Sequence, residues 1–488
     1  SCDSVWCKSA LDSTVLVYLT IMWRSRSSSP QSEVSDLATT PLLLSPKVVV
    51  FHYDEGIGDN IKAYILINVL VLLSIDTSLK VNIDFPDEKM CGFYQMKTPY
   101  LIIRDPELIN IMLIKDFAHF TDRGFYLDPL INLMSNSLFF MNGKRWKIMR
   151  QKLNPGFTSG KLKLMYGQVN NYSKELLNFI SKNEIKIHDL LGKYATDVIG
   201  TCAFGLKLDS MTDKDSEFQK YGRQLFKPTF RLLIVNILGM ISPQIPRMLK
   251  IQQLLPDVID FFVSTFKEVI TYREKNGVTK NDMTQTLMQA RKQLVLNNDA
   301  IPEEKFTDID IVKNAILLFA VGAEPVSDTL AFCFYELALN KPIQDKLRQH
   351  IYVTRKKHGG EKATNTYLVP GQSLVIEKGQ KIIIPTYSIY HDPKYYPNPD
   401  IFDPKRFSPE EKAKRSKASE LFFGDGPRFC IGKRLAEIEL KLCLSEIISY
   451  FEVLPCRKTE NPIQITPTGM VVKPKNGVWL TLKPIITQ

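Results

Sequence analysis

The first 86 residues contain no apolar run as long as the ~20 residues that a bilayer-spanning helix needs. Val15–Trp23 and Tyr64–Ile75 are apolar, and each falls short of that length. The eight cysteines include no Cys-x-x-Cys pair, which argues against a disulfide scaffold and against a structural zinc site. Internal repeats are absent too, which excludes solenoids and propellers. No nucleic-acid motif accompanies the formal net charge of +11. The basic surplus therefore points to an anionic membrane surface or an acidic protein, and not to nucleic acid.

What is present is ordinary for a globular protein: 488 residues, 44% hydrophobic and 24% charged. Apolar spacings of three and four predict helices over Pro106–Lys115, Gly143–Leu153, Leu164–Ser181, Lys193–Phe204, Pro256–Lys275, Asp308–Asn340 and Lys433–Tyr450. Strand-like runs occur at Gly92–Tyr94, Tyr100–Ile103, Ser373–Ile376, Lys381–Ile384 and Gly477–Leu482. Helices outnumber strands, so the expected class is mostly α with small β-sheets.

The most informative stretch is Phe423-Gly424-Asp425-Gly426-Pro427-Arg428-Phe429-Cys430-Ile431-Gly432. It fits Phe-x-x-Gly-x-Arg-x-Cys-x-Gly. A cysteine thiolate can ligate haem iron and push electron density onto bound oxygen. Glycines allow a tight turn and close approach to the macrocycle. Arg428 can neutralise a propionate by charge-assisted hydrogen bonds. The helix expected to begin at Lys433 would point its N-terminus at the sulfur and stabilise a thiolate.

This stretch resembles the haem-binding loop of the cytochrome P-450 family. Pro404-Lys405-Arg406-Phe407 is similar to the family's Pro-x-Arg-Phe segment, and Trp146-Lys147-Ile148-Met149-Arg150 to its Trp-x-x-x-Arg helix. Spacing of four puts Trp146 and Arg150 on one helix face. The wordings Phe117–Gly124, Asn154–Lys161 and Ala195–Gly205 also resemble the family, closest to insect-type microsomal members of its drug- and xenobiotic-metabolising clan. The resemblance runs from about Asp87 to the C-terminus.

It implies a single large haem-thiolate monooxygenase domain over residues 87–488, carrying haem b. Cys430 would be the axial ligand. Trp146, Arg150 and Arg428 would hold the propionates, and Phe423 would pack beside the sulfur. Glu324 would assist proton delivery. Arg123 is either a further propionate contact or a solvated loop arginine. Electrons would come from NADPH through an acidic flavoprotein reductase, with Lys144, Arg145, Lys147, Lys433 and Arg434 as docking candidates. An apolar small molecule would be the substrate, bordered by residues 125–139, 231–249, 317–326 and 466–471. The cytosolic face of the endoplasmic reticulum membrane is the implied location, and Phe230–Ile241 is apolar enough to dip into a membrane face.

Three departures stand against this pattern. Residues 1–86 do not resemble the family's anchor and hinge; a truncated anchor and a mis-assigned exon both account for them. The long helix reads Val321-Gly322-Ala323-Glu324-Pro325-Val326, so the family's acid is kept as Glu324 while its threonine has become Pro325. Gly322 is expected to allow approach to oxygen, and Pro325 to kink the helix because it cannot donate to the Val321 carbonyl. Thr329 lies a turn away, about 6 Å along the axis. Finally, no Glu is followed by Arg at the third position anywhere in the chain. The family uses Glu-x-x-Arg to engage the arginine equivalent to Arg406. Asn340–Pro370 is expected to hold one helix end and a loop, with a deletion near 350–365, and Arg355 and His358 to be remnants of the lost helix. Arg406 must then face solvent, recruit another acid or stay buried without one. The alternative reading is a catalytically impaired haem-binding protein or a non-functional product.

Overall fold

In the computed structural model the described residues are 50–51, 85 and 88–485, other than 96–97, 125–126, 181–183, 214, 226, 228, 243, 297–305, 356–380 and 467–471. Their strands are β1 (Val50–Phe51), β2 (Met90–Gln95), β3 (Thr98–Ile103), β4 (Glu184–Lys186), β5 (Lys381–Ile383), β6 (Phe451–Pro455) and β7 (Trp479–Pro484). The main helices are α1 (Pro106–Asn110), α2 (Gly143–Leu153), α3 (Ser159–Glu175), α4 (Ile187–Phe204), α5 (Glu217–Gln224) and α6 (Phe230–Ile241). They continue with α7 (Pro256–Lys275), α8 (Met283–Leu296), α9 (Asp308–Leu339), α10 (Lys341–Arg355) and α11 (Lys433–Tyr450). The class is mostly α with small sheets, as expected.

α2, α7 and α11 match their predicted spans residue for residue. α9 ends at Leu339, and α3 and α4 begin earlier than their apolar spacing suggested. Within the span predicted as one helix, α1 gives way to π-helical turns over Ile111–Lys115. α5, α8 and α10 were missed. The buried face of α10 rests on few apolar residues, Leu347 and Ile351 among them, with polar residues elsewhere. The run Ser373–Ile376 lies outside the described residues.

The chain clusters into two compact units. The first comprises residues 1–120, 353–429 and 461–468. Its sheet has the order β1-β2-β3-β5, with β1 and β3 antiparallel to β2 and β5 parallel to β3. Val50 and Phe51, far upstream, thus pair with Phe93 and Gly92. Ile103, Ile109, Met112, Ile389 and Leu421 form a core beneath this sheet. The loop before the cysteine is held here: Phe422 stacks on Tyr390 with ring centroids 4.3 Å apart, and the Tyr390 hydroxyl accepts from the Leu421 amide at 2.5 Å.

Arg406 is buried in this unit and takes the last of the three courses open to it. Its guanidinium donates to the carbonyl oxygens of Pro397, Asn398 (2.5 Å) and Ile401 (2.9 Å). Among the described residues no carboxylate pairs with it, and its Nε has no hydrogen-bond partner. Backbone oxygens thus answer a charge for which the sequence offers no acid at Glu-x-x-Arg spacing.

The second unit comprises residues 121–352, 430–460 and 469–488. It is built around α9, which is long and apolar enough to cross a membrane but is mostly buried as a core helix. Thr307 and Asp310 start it with a reciprocal capping box. α4, α7, α8 and α11 pack around it, and the sheet β4-β7-β6 lies at one end. Phe204, Phe218, Phe262 and Phe319 join α4, α5, α7 and α9; the Phe262 and Phe319 centroids are 5.2 Å apart. A buried Arg273–Asp282 pair, with contacts of 2.6 and 2.8 Å, ties α7 to the start of α8, and Arg273 also donates to the Phe204 carbonyl at the end of α4.

Asn340–Pro370 differs from expectation. α10 is helical over Lys341–Arg355, so Asn340–Pro370 holds fifteen helical residues where one helix end was expected. Gln344 and Arg348 anchor it by donating to the carbonyls of Val453 (2.8 Å) and Ile448 (2.9 Å). His358 lies outside the described residues.

Two measurements follow. Hydrogen bonds to a charged group are worth ~1.5–3 kcal/mol each, so Arg406→Met is expected to lower the melting temperature and to expose the loop before Cys430 to protease first. Glu439 on α11 is buried, its Oε2 has no hydrogen-bond partner among the described residues, and burial holds its carboxyl well above the ordinary range. The folded state then binds this proton more tightly than the unfolded chain. Its contribution is complete below the ordinary glutamate pKa of ~4.3 and is lost as pH rises towards the folded value. Glu439→Gln is expected to melt higher than the parent at neutral pH, with the gap closing as pH falls; a constant gap would show that burial does not hold the proton.

Candidate active site

Cys430 immediately precedes α11. Burial pushes its thiol up, while the amides of Gly432 and Lys433 and the guanidinium groups of Arg150 and Arg123 pull it down. The helix N-terminus does favour the thiolate, as the sequence suggested, but loss of hydration outweighs it. A bound cation is what would complete deprotonation.

α2 supplies Arg150. Trp146 and Arg150, one turn apart, both lie on its buried face. Arg150 Nε donates to Asn154 Oδ1 at 3.1 Å. Arg123 lies 4.1 Å over the Phe139 ring and donates to the Phe139 carbonyl at 3.4 Å. Loss of hydration lowers both arginines; Arg150 lowers Arg123 further, and Cys430 opposes the shift at each. Two cations are thus held near each other and near a sulfur. Sequence reasoning left Arg123 open between two roles; it is exposed, and its charge acts on Arg150 and Cys430.

Arg428 and Phe423 belong to the first unit, because the division falls between Phe429 and Cys430. Arg428 is buried and Phe423 half-buried. Gly424 and Gly426 carry φ of +69° and +66°, the left-handed turn the motif called for. A Cβ on Gly426 would lie 1.8 Å from the Leu113 carbonyl oxygen. The close approach at Gly426 is therefore to the π-helical turn Ile111–Lys115.

α9 carries the second part of the site. Val321 is 41% exposed, while Ala320 and Val326 on either side of the Val321–Pro325 stretch are 7% and 5%. An apolar side chain is thus open on an otherwise buried helix. A Cβ on Gly322 would lie 2.5 Å from Ile199 Cδ1 of α4, so this position also packs closely on that helix. The helix runs unbroken through Pro325. Thr329 donates its hydroxyl proton to the Pro325 carbonyl at 2.7 Å, and Ser327 donates to Glu324 O at 2.9 Å. Glu324 is ion-paired to Lys473. The segment 467–471 expected to border a pocket lies outside the described residues. Sequence reasoning missed Lys473, His188 and Asp328, which surround Glu324; an acid four residues beyond Glu324 in an apolar helix was the available signal.

A sulfur receiving two amides, with two arginines beside it, suits a thiophilic metal carried by a ligand with acidic edges. That combination defines the haem-thiolate class. The family profile described as cytochrome P450 matches residues 85–367 and 360–481. Cytochrome P450 6a2 of Drosophila melanogaster is 33% identical over 437 residues, covering 81% of this chain and 86% of its own. Cytochrome P450 6k1 of Blattella germanica is 32% identical over 439 residues (80% and 84%), and cytochrome P450 6A1 of Musca domestica 32% over 436 (81% and 85%). The chain belongs to the cytochrome P450 family, whose cofactor is haem b with an axial cysteine thiolate.

Cys430→Ser is expected to abolish the red-shifted Soret band of the reduced carbon monoxide complex, while serine at any of the other seven cysteines leaves it. A band that survives in Cys430→Ser would exclude Cys430 as the ligand.

Proposed function

We propose that this protein is a membrane-associated haem-thiolate monooxygenase that inserts one oxygen atom of O2 into an apolar small molecule, such as a xenobiotic or lipid-like compound, releasing the other as water. The observation that carries this is Cys430 at the head of α11 with Arg150 and Arg123 beside it. Family membership supports the monooxygenase reading. It gives no support to the alternative of an impaired haem-binding protein. Haem, when bound, supplies oxygen activation.

The chain's own residues have separate tasks in this reading. Cys430 is the axial ligand, and the amides of Gly432 and Lys433 spread its charge. Trp146, Arg150 and Arg428 hold the propionates, with Arg123 added to them. Phe423 shields the sulfur. Glu324 carries a proton towards the open face at Val321, and the apolar residues of α9 exclude water from that face. Lys144, Arg145, Lys147, Lys433 and Arg434 are all exposed. Two of them sit in the first turn of α11, where cations are unfavourable for the helix itself. Their placement there fits docking of an acidic flavoprotein that passes electrons from NADPH. In this reading the protein sits on the cytosolic face of the endoplasmic reticulum membrane, and residues 87–488 are the catalytic domain with a deletion near 350–365.

Position 325 tests the chemistry. Proline offers no hydroxyl, and Thr329 spends its proton on the carbonyl of residue 325. General acid–base delivery typically contributes ~100- to 10,000-fold. Pro325→Thr is expected to raise product formed per NADPH consumed and to lower peroxide release. An unchanged ratio would mean that protons already arrive without a hydroxyl at this position.

A further inference from the structure

Behind Glu324 lies a group of charges that the proposed reaction does not yet use. Asp328 is one turn further along α9, and its side chain is 0% exposed. His188 stands in the first turn of α4 with Nε2 2.8 Å from Asp328 Oδ1, and its side chain is 17% exposed. Asp328 Oδ2 has no hydrogen-bond partner among the described residues. Glu324 is held by Lys473, which comes from the segment before β7.

The charged groups acting on Asp328 are His188 from α4, Lys473 from the C-terminal segment and Glu324 on its own helix. Burial pushes its carboxyl up most; His188 pulls it down, Glu324 pushes it up and Lys473 pulls it down. Two carboxylates four residues apart on one helix repel. That repulsion is strong where the effective dielectric is low. Among the described residues, two carboxylates and one ammonium leave the group one positive charge short. One proton on the His188–Asp328 pair makes up the difference, on Nε2 or on the carboxyl, with the same total charge. His188 is the member of the pair that reaches solvent, at 17% exposed against 0% for Asp328. When the proton leaves, Asp328 is a buried anion, and Lys473 is the remaining cation that acts on it.

We propose that His188 and Asp328 are positioning residues that control Glu324 through Lys473. With the proton present, Lys473 stays on Glu324 and fixes it as a carboxylate. With the proton gone, Lys473 is drawn towards Asp328, and Glu324 is released to pick up and pass protons. The inference rests on the proton-carrying role given to Glu324, so its test must separate the two.

The experiment uses the full-length haem-loaded protein. Carbon-13 NMR of aspartate carboxyls, in the diamagnetic reduced carbon monoxide complex, follows Asp328 as pH is raised; the signal is assigned by its loss in Asp328→Asn. In Lys473→Gln and in His188→Gln its midpoint is expected to move upward, because each removes a cation, and in Glu324→Gln downward. Product per NADPH, measured with an alkoxycoumarin whose dealkylation releases a fluorescent phenol, is expected to rise with pH alongside the Asp328 titration. That rise should be lost in both Asp328→Asn and Lys473→Gln. An Asp328 midpoint indifferent to Lys473 and Glu324 overturns the network, as does a parental pH profile in Asp328→Asn. Glu324→Gln separates the readings. An unchanged product ratio there refutes the role of Glu324. An impaired ratio there, with the pH profile intact in Asp328→Asn, refutes only the network.

Discussion

The burial of α9 is the constraint on which the rest of the second unit depends. A core helix of this length leaves no water for its polar groups, so each must be met from elsewhere in the fold. Asp310 answers Thr307 in the capping box, and Asn314 takes the Leu138 amide at 2.9 Å. Glu324 takes Lys473, and Asp328 takes His188. Each partner comes from a different part of the chain, so satisfying α9 also fixes where α4 and the segment before β7 must lie. The opening at Val321–Pro325 stands out because the residues directly on either side, Leu317–Ala320 and Val326–Ala338, are buried.

Electrostatics at Cys430 follow a similar logic with the opposite outcome. Its neighbours are arranged to favour an anion, yet burial alone outweighs two amides and two guanidinium groups. Those two guanidinium groups in turn lose hydration and repel each other. A fold whose only aim was stability would not gather them. Two guanidinium groups beside a half-buried sulfur are intelligible as binding groups for something that brings negative charge and a metal.

Much of this was legible in the sequence. Helices with a full apolar stripe, α2, α7 and α11, appear with the right ends, since their spacing and terminal residues agree. The loop around Cys430 was legible because each specified residue has a chemical purpose. α5 and α10 were not, because their faces are largely polar and their stability comes from tertiary contacts such as Arg348 to the Ile448 carbonyl. Lys473 and His188 lie about 150 and 135 residues from Glu324 in sequence, and no local spacing links them to it. The packing of Gly322 against Ile199 was not legible either: a glycine on a helix shows that something comes close, but not what.

Arg406 shows how a lost partner is absorbed. Removing one member of a buried ion pair typically costs ~3–5 kcal/mol when nothing replaces it. Here three carbonyls within the segment Pro397–Ile401 converge on the guanidinium. Carbonyl dipoles cannot neutralise the charge as a carboxylate does, but they satisfy its donors and restrain the same turn. The residual cost falls on Nε, which has no acceptor among the described residues. Arg406 thus remains a local brace for the turn that precedes the cysteine loop. The absence of Glu-x-x-Arg then bears on how firmly that loop is held, while the chemistry available at Cys430 is set by Gly432, Lys433, Arg150 and Arg123 in the other unit.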